Sequence, residues 1–111
     1  MRTISIGIDS KITTMAKINS KQVTKAMESL APGWRLAKQD TTLRRKIKTK
    51  DFMSAFTLVA RIAVHAEVMQ HHPDIQLSYG SVTLSLTTHD IGGLTRKDIQ
   101  LAKTIDDVCA G

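Results

Sequence analysis

Hydrophobic positions repeat along this chain in two periods, and each change of period marks an element. Val23, Ala26, Met27 and Leu30 recur at helical spacing. Asn19, with Gln22 three residues on, can close a capping box at the start of that run, and Pro32-Gly33 ends it. Trp34 to Lys38 and Thr42 to Lys48 then read as two short strands joined by a hairpin near Gln39-Asp40-Thr41. In the second strand Leu43, Arg45 and Ile47 share one face, while Thr42, Arg44, Lys46 and Lys48 take the other.

Asp51 to Gln70 predicts the longest helix. At about 100° per residue, Phe52, Ala55, Phe56, Val59, Ile62, Ala63 and Ala66 form one apolar arc. Met53, Leu58, Ala60 and Val64 widen it, so that only Ser54, Thr57, Arg61 and His65 form a polar strip. A helix on one small sheet needs a single apolar stripe. The excess predicts a second packing surface, most simply the helix of another subunit, with Val64 and Leu58 on the flanks of the main arc. Pro73 ends the run, because a residue before proline is pushed out of the helical region.

Ile75 to Tyr79 and Val82 to Thr88 alternate as two more strands around a turn at Ser78 to Ser81. Val82, Leu84 and Leu86 point one way; Thr83, Ser85 and Thr87 point the other. His89 shares the polar parity, which sends it to the face away from the helices if the strand runs that far. Thr95 caps a last helix, with Asp98 at its third position and a Leu94–Ile99 staple. The order helix-strand-strand-helix-strand-strand-helix predicts an α+β fold, a four-stranded antiparallel sheet with three helices on one face.

With 111 residues, one domain is expected, spanning 19–111 behind a flexible extension at 1–18. Ile4, Ile6 and Ile8 would allow that extension an edge strand instead. An organelle address would be richer in arginine and free of acids than a segment with Arg2 and Asp9, so a cytoplasmic setting is expected. The single cysteine, Cys109, excludes an intrachain disulfide and fits a reducing compartment. No apolar run approaches the roughly 20 residues of a bilayer span, so no membrane is expected. Basic residues exceed acidic ones by 16 to 10, a net +6, with a cluster at Arg44, Arg45, Lys46, Lys48 and Lys50. Strand alternation explains that cluster as a solvated face. No aromatic is interleaved with it, so nucleic acid is not an expected partner.

The candidate chemistry lies in His71, His72 and His89, three of the four histidines. Imidazole is the side chain suited to proton transfer near neutral pH. His71 falls at a helix C-terminus, whose partial negative charge favours the protonated ring. Glu67 lies one turn earlier and can reach His71. His72, as a neighbour, must point elsewhere. Adjacent histidines rarely hold one zinc, and the chain has no cysteine pair and no Gly-rich phosphate loop. Neither metal nor cofactor is expected. Asp98 is explained by the capping box, Trp34 as a core anchor, and His65 as a surface residue.

The ordered set Glu67, His71-His72-Pro73, Tyr79, His89 and Asp98 resembles the pterin-4a-carbinolamine dehydratase family. Gly33-Trp34, Lys50-Asp51-Phe52, Thr88-His89-Asp90 and Gly92-Gly93-Leu94-Thr95 extend the likeness from Ser20 to Ala110. The resemblance implies the same α+β fold and tetramers built through the long helix. It implies dehydration of 4a-hydroxytetrahydrobiopterin to quinonoid dihydropterin plus water, which recycles the cofactor of aromatic amino acid hydroxylases. His71 and His89 would be the acid/base pair, and His72 would hold the substrate hydroxyl or ring. Glu67, Pro73, Asp90, Trp34 and Tyr79 would support them or bind substrate. Ile47 and Thr49 depart from the family, which has aromatics there. Relatives on this scaffold also serve as dimerisation cofactors, so a non-enzymatic binding or assembly module is the alternative.

Overall fold

The structure, a computed structural model, describes residues 16–111. The readings made for residues 1–15, whether flexible arm, edge strand or address, lie outside the described residues. Residues 16–18, assigned above to the extension, belong with the domain: the Ile18 N–H donates to Leu94 O at 2.9 Å and its side chain packs against the core.

Helix α1 (Ser20–Met27) begins at the predicted capping box, with the Gln22 N–H donating to Asn19 Oδ1 at 2.8 Å and the Asn19 N–H to Gln22 Oε1 at 2.9 Å. Strands β1 (Arg35–Ala37) and β2 (Thr42–Lys48) follow, then α2 (Phe52–Met69), β3 (Asp74–Ser78), β4 (Ser81–Leu86) and α3 (Arg96–Ala110). The order is the predicted one. The sheet runs β1-β2-β4-β3 with every neighbouring pair antiparallel. The chain leaves β2 through α2, returns as the outer strand β3, and turns back as β4 into the gap beside β2. The β1–β2 turn places Lys38, Gln39 and Asp40 at φ of 52, 57 and 64°. Three consecutive left-handed residues without glycine are sterically costly, and only Asp40 belongs to the types that tolerate the region well.

The core lies between the sheet and the helices. Leu43, Val82, Leu84 and Leu86 meet Ile62 of α2 and Leu101 and Ile105 of α3, all but fully buried. The inward face of β4 is the predicted one.

Helix α2 differs from its predicted arc. Its buried stripe is Ala55, Ile62 and Ala66, with Leu58, Val59 and Met69 half-buried against the same core. Phe52 and Phe56, placed in the arc by periodicity, are 45% and 51% exposed. Val64 and Val68 are 63% and 80% exposed, and Met53 is also open. Leu58 is thus a core residue rather than a flank. Alanines at the seam let the helix sit low on its partners, which leaves no room there for aromatic rings. By length and composition alone α2 is apolar enough to cross a membrane, with 18 residues and a mean hydropathy of 1.4. The expectation that nothing approaches that length does not hold for this helix. Its docked stripe shows that it serves as a packing element here.

Asp106 of α3 clamps the first part of the chain. It accepts from Ala31 N–H and Trp34 Nε1, both at 2.8 Å, and from Arg45 Nη1 at 2.5 Å. Arg45 also lies over the Trp34 ring, 5.9 Å from its centre. Trp34 is 6% exposed and its only side-chain donor is used.

Candidate active site

The site forms where α2 ends, where β4 ends and where α3 begins. Gln70 follows α2 in the left-handed conformation, φ 53° and ψ 42°. The His71 N–H then reaches back to Ala66 O at 3.1 Å and the Gln70 N–H to Glu67 O at 3.2 Å. This is the bond pair of a Schellman turn. It carries His71 off the helical path, and Pro73 feeds the chain into β3.

That turn changes the predicted pairing. Glu67 does not meet His71; its Oε2 accepts from His72 Nε2 at 2.5 Å, on the surface. The one-turn relation holds only while both residues are helical, and His71 is not. His71 turns inward instead. Its ring is 11% exposed, and Nε2 lies 2.6 Å from Asp98 Oδ1.

Asp98 is fully buried at the start of α3. Its second oxygen, Oδ2, accepts from the Thr95 N–H at 2.9 Å and from Thr88 Oγ1 at 2.8 Å. Thr88 Oγ1 is also 2.9 Å from Thr95 Oγ1. Since Thr88 gives its proton to Asp98, the Thr95 hydroxyl donates to Thr88. A buried carboxylate is tolerable only when its lone pairs are so occupied. An ionised carboxylate only accepts. His71 Nε2 therefore carries a proton in this pairing, and Nδ1 is the ring nitrogen left to exchange one.

His89 arrives from the other side. Strand β4 ends at Leu86, and Thr88 makes an isolated bridge with Gly93, its N–H donating to Gly93 O at 3.0 Å. The Gly92 N–H closes a turn onto Thr88 O, with Gly92 at φ 73°, a value suited to glycine. The strand does not run on to His89, so strand parity does not place it on the open sheet face. His89 borders a cleft of about 390 Å³ together with His71, His72, Thr87, Asp90 and Lys97.

The structure thus gathers His71, His72, His89 and Asp90, and ties Glu67 to His72. Pro73 is outside the cleft lining and acts by ending the turn. Trp34, buried and bonded to Asp106, is no substrate contact; the core-anchor reading describes it. Tyr79 is 72% exposed in the β3–β4 turn, at the opposite end of that hairpin from His89. Sequence reasoning missed Asp98 as the partner of His71, along with Thr88 and Lys97. The capping box accounted for Asp98 Oδ2 alone, and asking where Oδ1 goes would have pointed to a second role. Among the described residues, no three His, Cys, Asp or Glu side chains group as a metal site.

An antiparallel α+β layer whose helix end, strand end and last helix converge on a histidine–carboxylate cleft defines a recognisable class of small protein. The profile of the pterin 4 alpha carbinolamine dehydratase family matches residues 16–108, and the chain belongs to that family. Two bacterial relatives carry the name "Putative pterin-4-alpha-carbinolamine dehydratase". One, from Picosynechococcus sp., is 46% identical over 83 residues, 75% of this chain and 88% of that one. The other, from Mycolicibacterium vanbaalenii, is 43% identical over 94 residues, 85% and 98% of the two chains. The crystal structure of a transcriptional coactivator/pterin dehydratase from Brucella melitensis superposes with a TM-score of 0.79 at 30% identity, over 84% of this chain and 98% of that one. A pterin dehydratase-like protein identified as a RuBisCO assembly factor in the alpha-carboxysome has the same fold, with a TM-score of 0.61 at 15% identity, over 71% and 92%.

Proposed function

We propose that this protein dehydrates 4a-hydroxytetrahydrobiopterin by histidine acid/base catalysis and so recycles the pterin cofactor of aromatic amino acid hydroxylases. Family membership supports the pterin substrate. The observation that carries the mechanism is the 2.6 Å pairing of His71 with buried Asp98 in a cleft that His72 and His89 also border. The reaction delivers a proton to the hydroxyl leaving C4a and takes one from N5, so that water departs and the C4a–N5 double bond forms. One imidazole loses a proton as another gains one, and the pair ends with no net change in charge. His71 and His89 fill those two roles. Asp98 holds the His71 tautomer and offsets positive charge on its ring. His72, tethered by Glu67, holds the substrate hydroxyl or ring.

An oligomer built through α2, a tetramer in this family, is part of the same proposal. Phe52, Met53, Phe56, Val64 and Val68 leave an apolar face that a second copy would cover. A cytoplasmic setting also belongs to it, supported by the free thiol of Cys109. The same exposed face favours one rival, an assembly module without turnover. Following the loss of synthetic 4a-hydroxytetrahydropterin with and without protein separates them. Acceleration over buffer is the expected result, and its absence leaves the assembly module.

A further inference from the structure

The outer face of the sheet, turned away from the helices, carries four cations against one carboxylate, Asp74 of β3, which lies one strand beyond Arg44 across Ser85. Arg44, Lys46 and Lys48 alternate along β2 and are exposed, about 6.6 Å apart at the strand rise. The register sets Arg35 of β1 directly opposite Arg44. Like charges across a strand pair destabilise it, so the fold holds these cations against their own repulsion. Among the described residues none of the four makes an ion pair; the arginine that does, Arg45, points inward to Asp106. On the other side of β2 the register brings Ser81, Thr83 and Ser85 opposite Lys48, Lys46 and Arg44. Beyond them, Gln76 of β3 lies opposite Thr83. A shallow hollow of about 680 Å³ opens here, bordered by Arg35, Arg44, Lys46, Gln76 and Thr83.

We propose that this face binds the phosphate backbone of a nucleic-acid duplex without reading its sequence. A single small anion would engage one or two of four cations spread over two strands. A duplex presents charge at close, regular intervals. Its phosphates accept from Arg, Lys, Ser, Thr and Gln, the residue types assembled here. Protein partners dock through apolar or aromatic anchors, and this face has none: Trp34 is buried, Phe52 and Phe56 lie on α2, and Tyr79 is in the β3–β4 turn. The missing aromatics were the ground for expecting no nucleic acid. That ground applies to stacking on single strands and does not reach backbone contact with a duplex. The hollow shares no lining residue with the histidine cleft, and none of its lining lies on α2, so neither dehydratase turnover nor assembly through α2 would occupy it.

The test is fluorescence anisotropy of a labelled mixed-sequence duplex titrated with the full chain across a salt series. Four phosphate contacts predict a slope of about −3.6 for log K against log salt. The R44E/K46E variant should abolish most of the low-salt binding with turnover unchanged. The milder K46Q should reduce the slope by about 1, which keeps the test valid if the double variant does not fold. Duplexes of shuffled sequence should bind equally. No binding at low salt, a slope near zero, equal binding by both variants, or marked sequence preference would each overturn the proposal. So would a polyglutamate peptide that binds this face while the duplex fails to displace it, since that would assign it to an acidic protein.

Discussion

His71 and Asp98 meet at 2.6 Å, a largely buried imidazole donating to a carboxylate that solvent does not reach. The two come from different elements 27 positions apart, so neither helix alone sets the geometry. Asp98→Asn keeps the size of the side chain and removes its charge. Without that charge the contact that orients the His71 ring is weakened. Turnover should fall by at least about tenfold, the lower end expected when a partner that orients a functional imidazole is lost. A stability loss with unchanged turnover would make Asp98 a capping residue only.

The two histidines proposed as the acid/base pair should separate in their stability effects. His71→Ala and His89→Ala should each lower turnover by about 10²–10⁴, the scale of general acid–base catalysis. His71→Ala also strips Asp98 of a partner and should cost about 1–3 kcal/mol. His89, exposed after β4, should cost little. Denaturant melts beside steady-state rates check both halves, and full activity in either folded variant removes that residue from the mechanism.

Assembly should depend on Val64 and Val68 rather than Leu58. Val64→Glu and Val68→Glu place charge on the exposed apolar face and should shift light-scattering mass toward the monomer with the melting temperature of the subunit little changed. Leu58→Glu should unfold the subunit, because Leu58 packs against the core. A wild-type chain that stays monomeric across micromolar concentrations would defeat the α2 interface.

Acid stability should carry a contribution from Asp51, the cap of α2. Its Oδ1 accepts from the Ser54 N–H at 2.8 Å, and that bond holds the carboxyl below its ordinary value of 3.8. A depressed folded value means the contribution is fully present above 3.8 and is lost as pH falls through the folded value. Asp51→Asn caps equally well and does not titrate. The melting temperatures of the two proteins should run parallel above pH 5 and converge or cross below the ordinary carboxylate value. Parallel curves throughout would show that the cap bond does not discriminate between charge states.

Elements with a local signature were legible in the sequence. The capping boxes at Asn19 and Thr95 fixed two helix starts, and strand alternation fixed the inward face of β4. Helix α2 shows the limit. When nearly every direction around a helix is apolar, periodicity cannot say which side docks, and here the small Ala55 and Ala66 decide it. The histidine set was legible as a set because it lies in order along the chain. Its pairings were not, since the left-handed Gln70 reorients His71 and hands Glu67 to His72. Nor was Asp98's second bond, which depends on two elements meeting in space.

Helix α3 carries both Asp98 and Asp106. The first completes the cleft; the second ties down Ala31, Trp34 and Arg45, residues 61 to 75 positions earlier. During synthesis a chain that has emerged only through β4 has neither carboxylate. Its tryptophan indole and Arg45 lack their acceptor, and His71 lacks its partner. Domains fold as units as they leave the ribosome, and in this one the structural lock and the carboxylate partner of His71 arrive on the same late segment. A nascent chain therefore has no stage at which it is clamped shut without a completed cleft, or offers a completed cleft before α3 has been made.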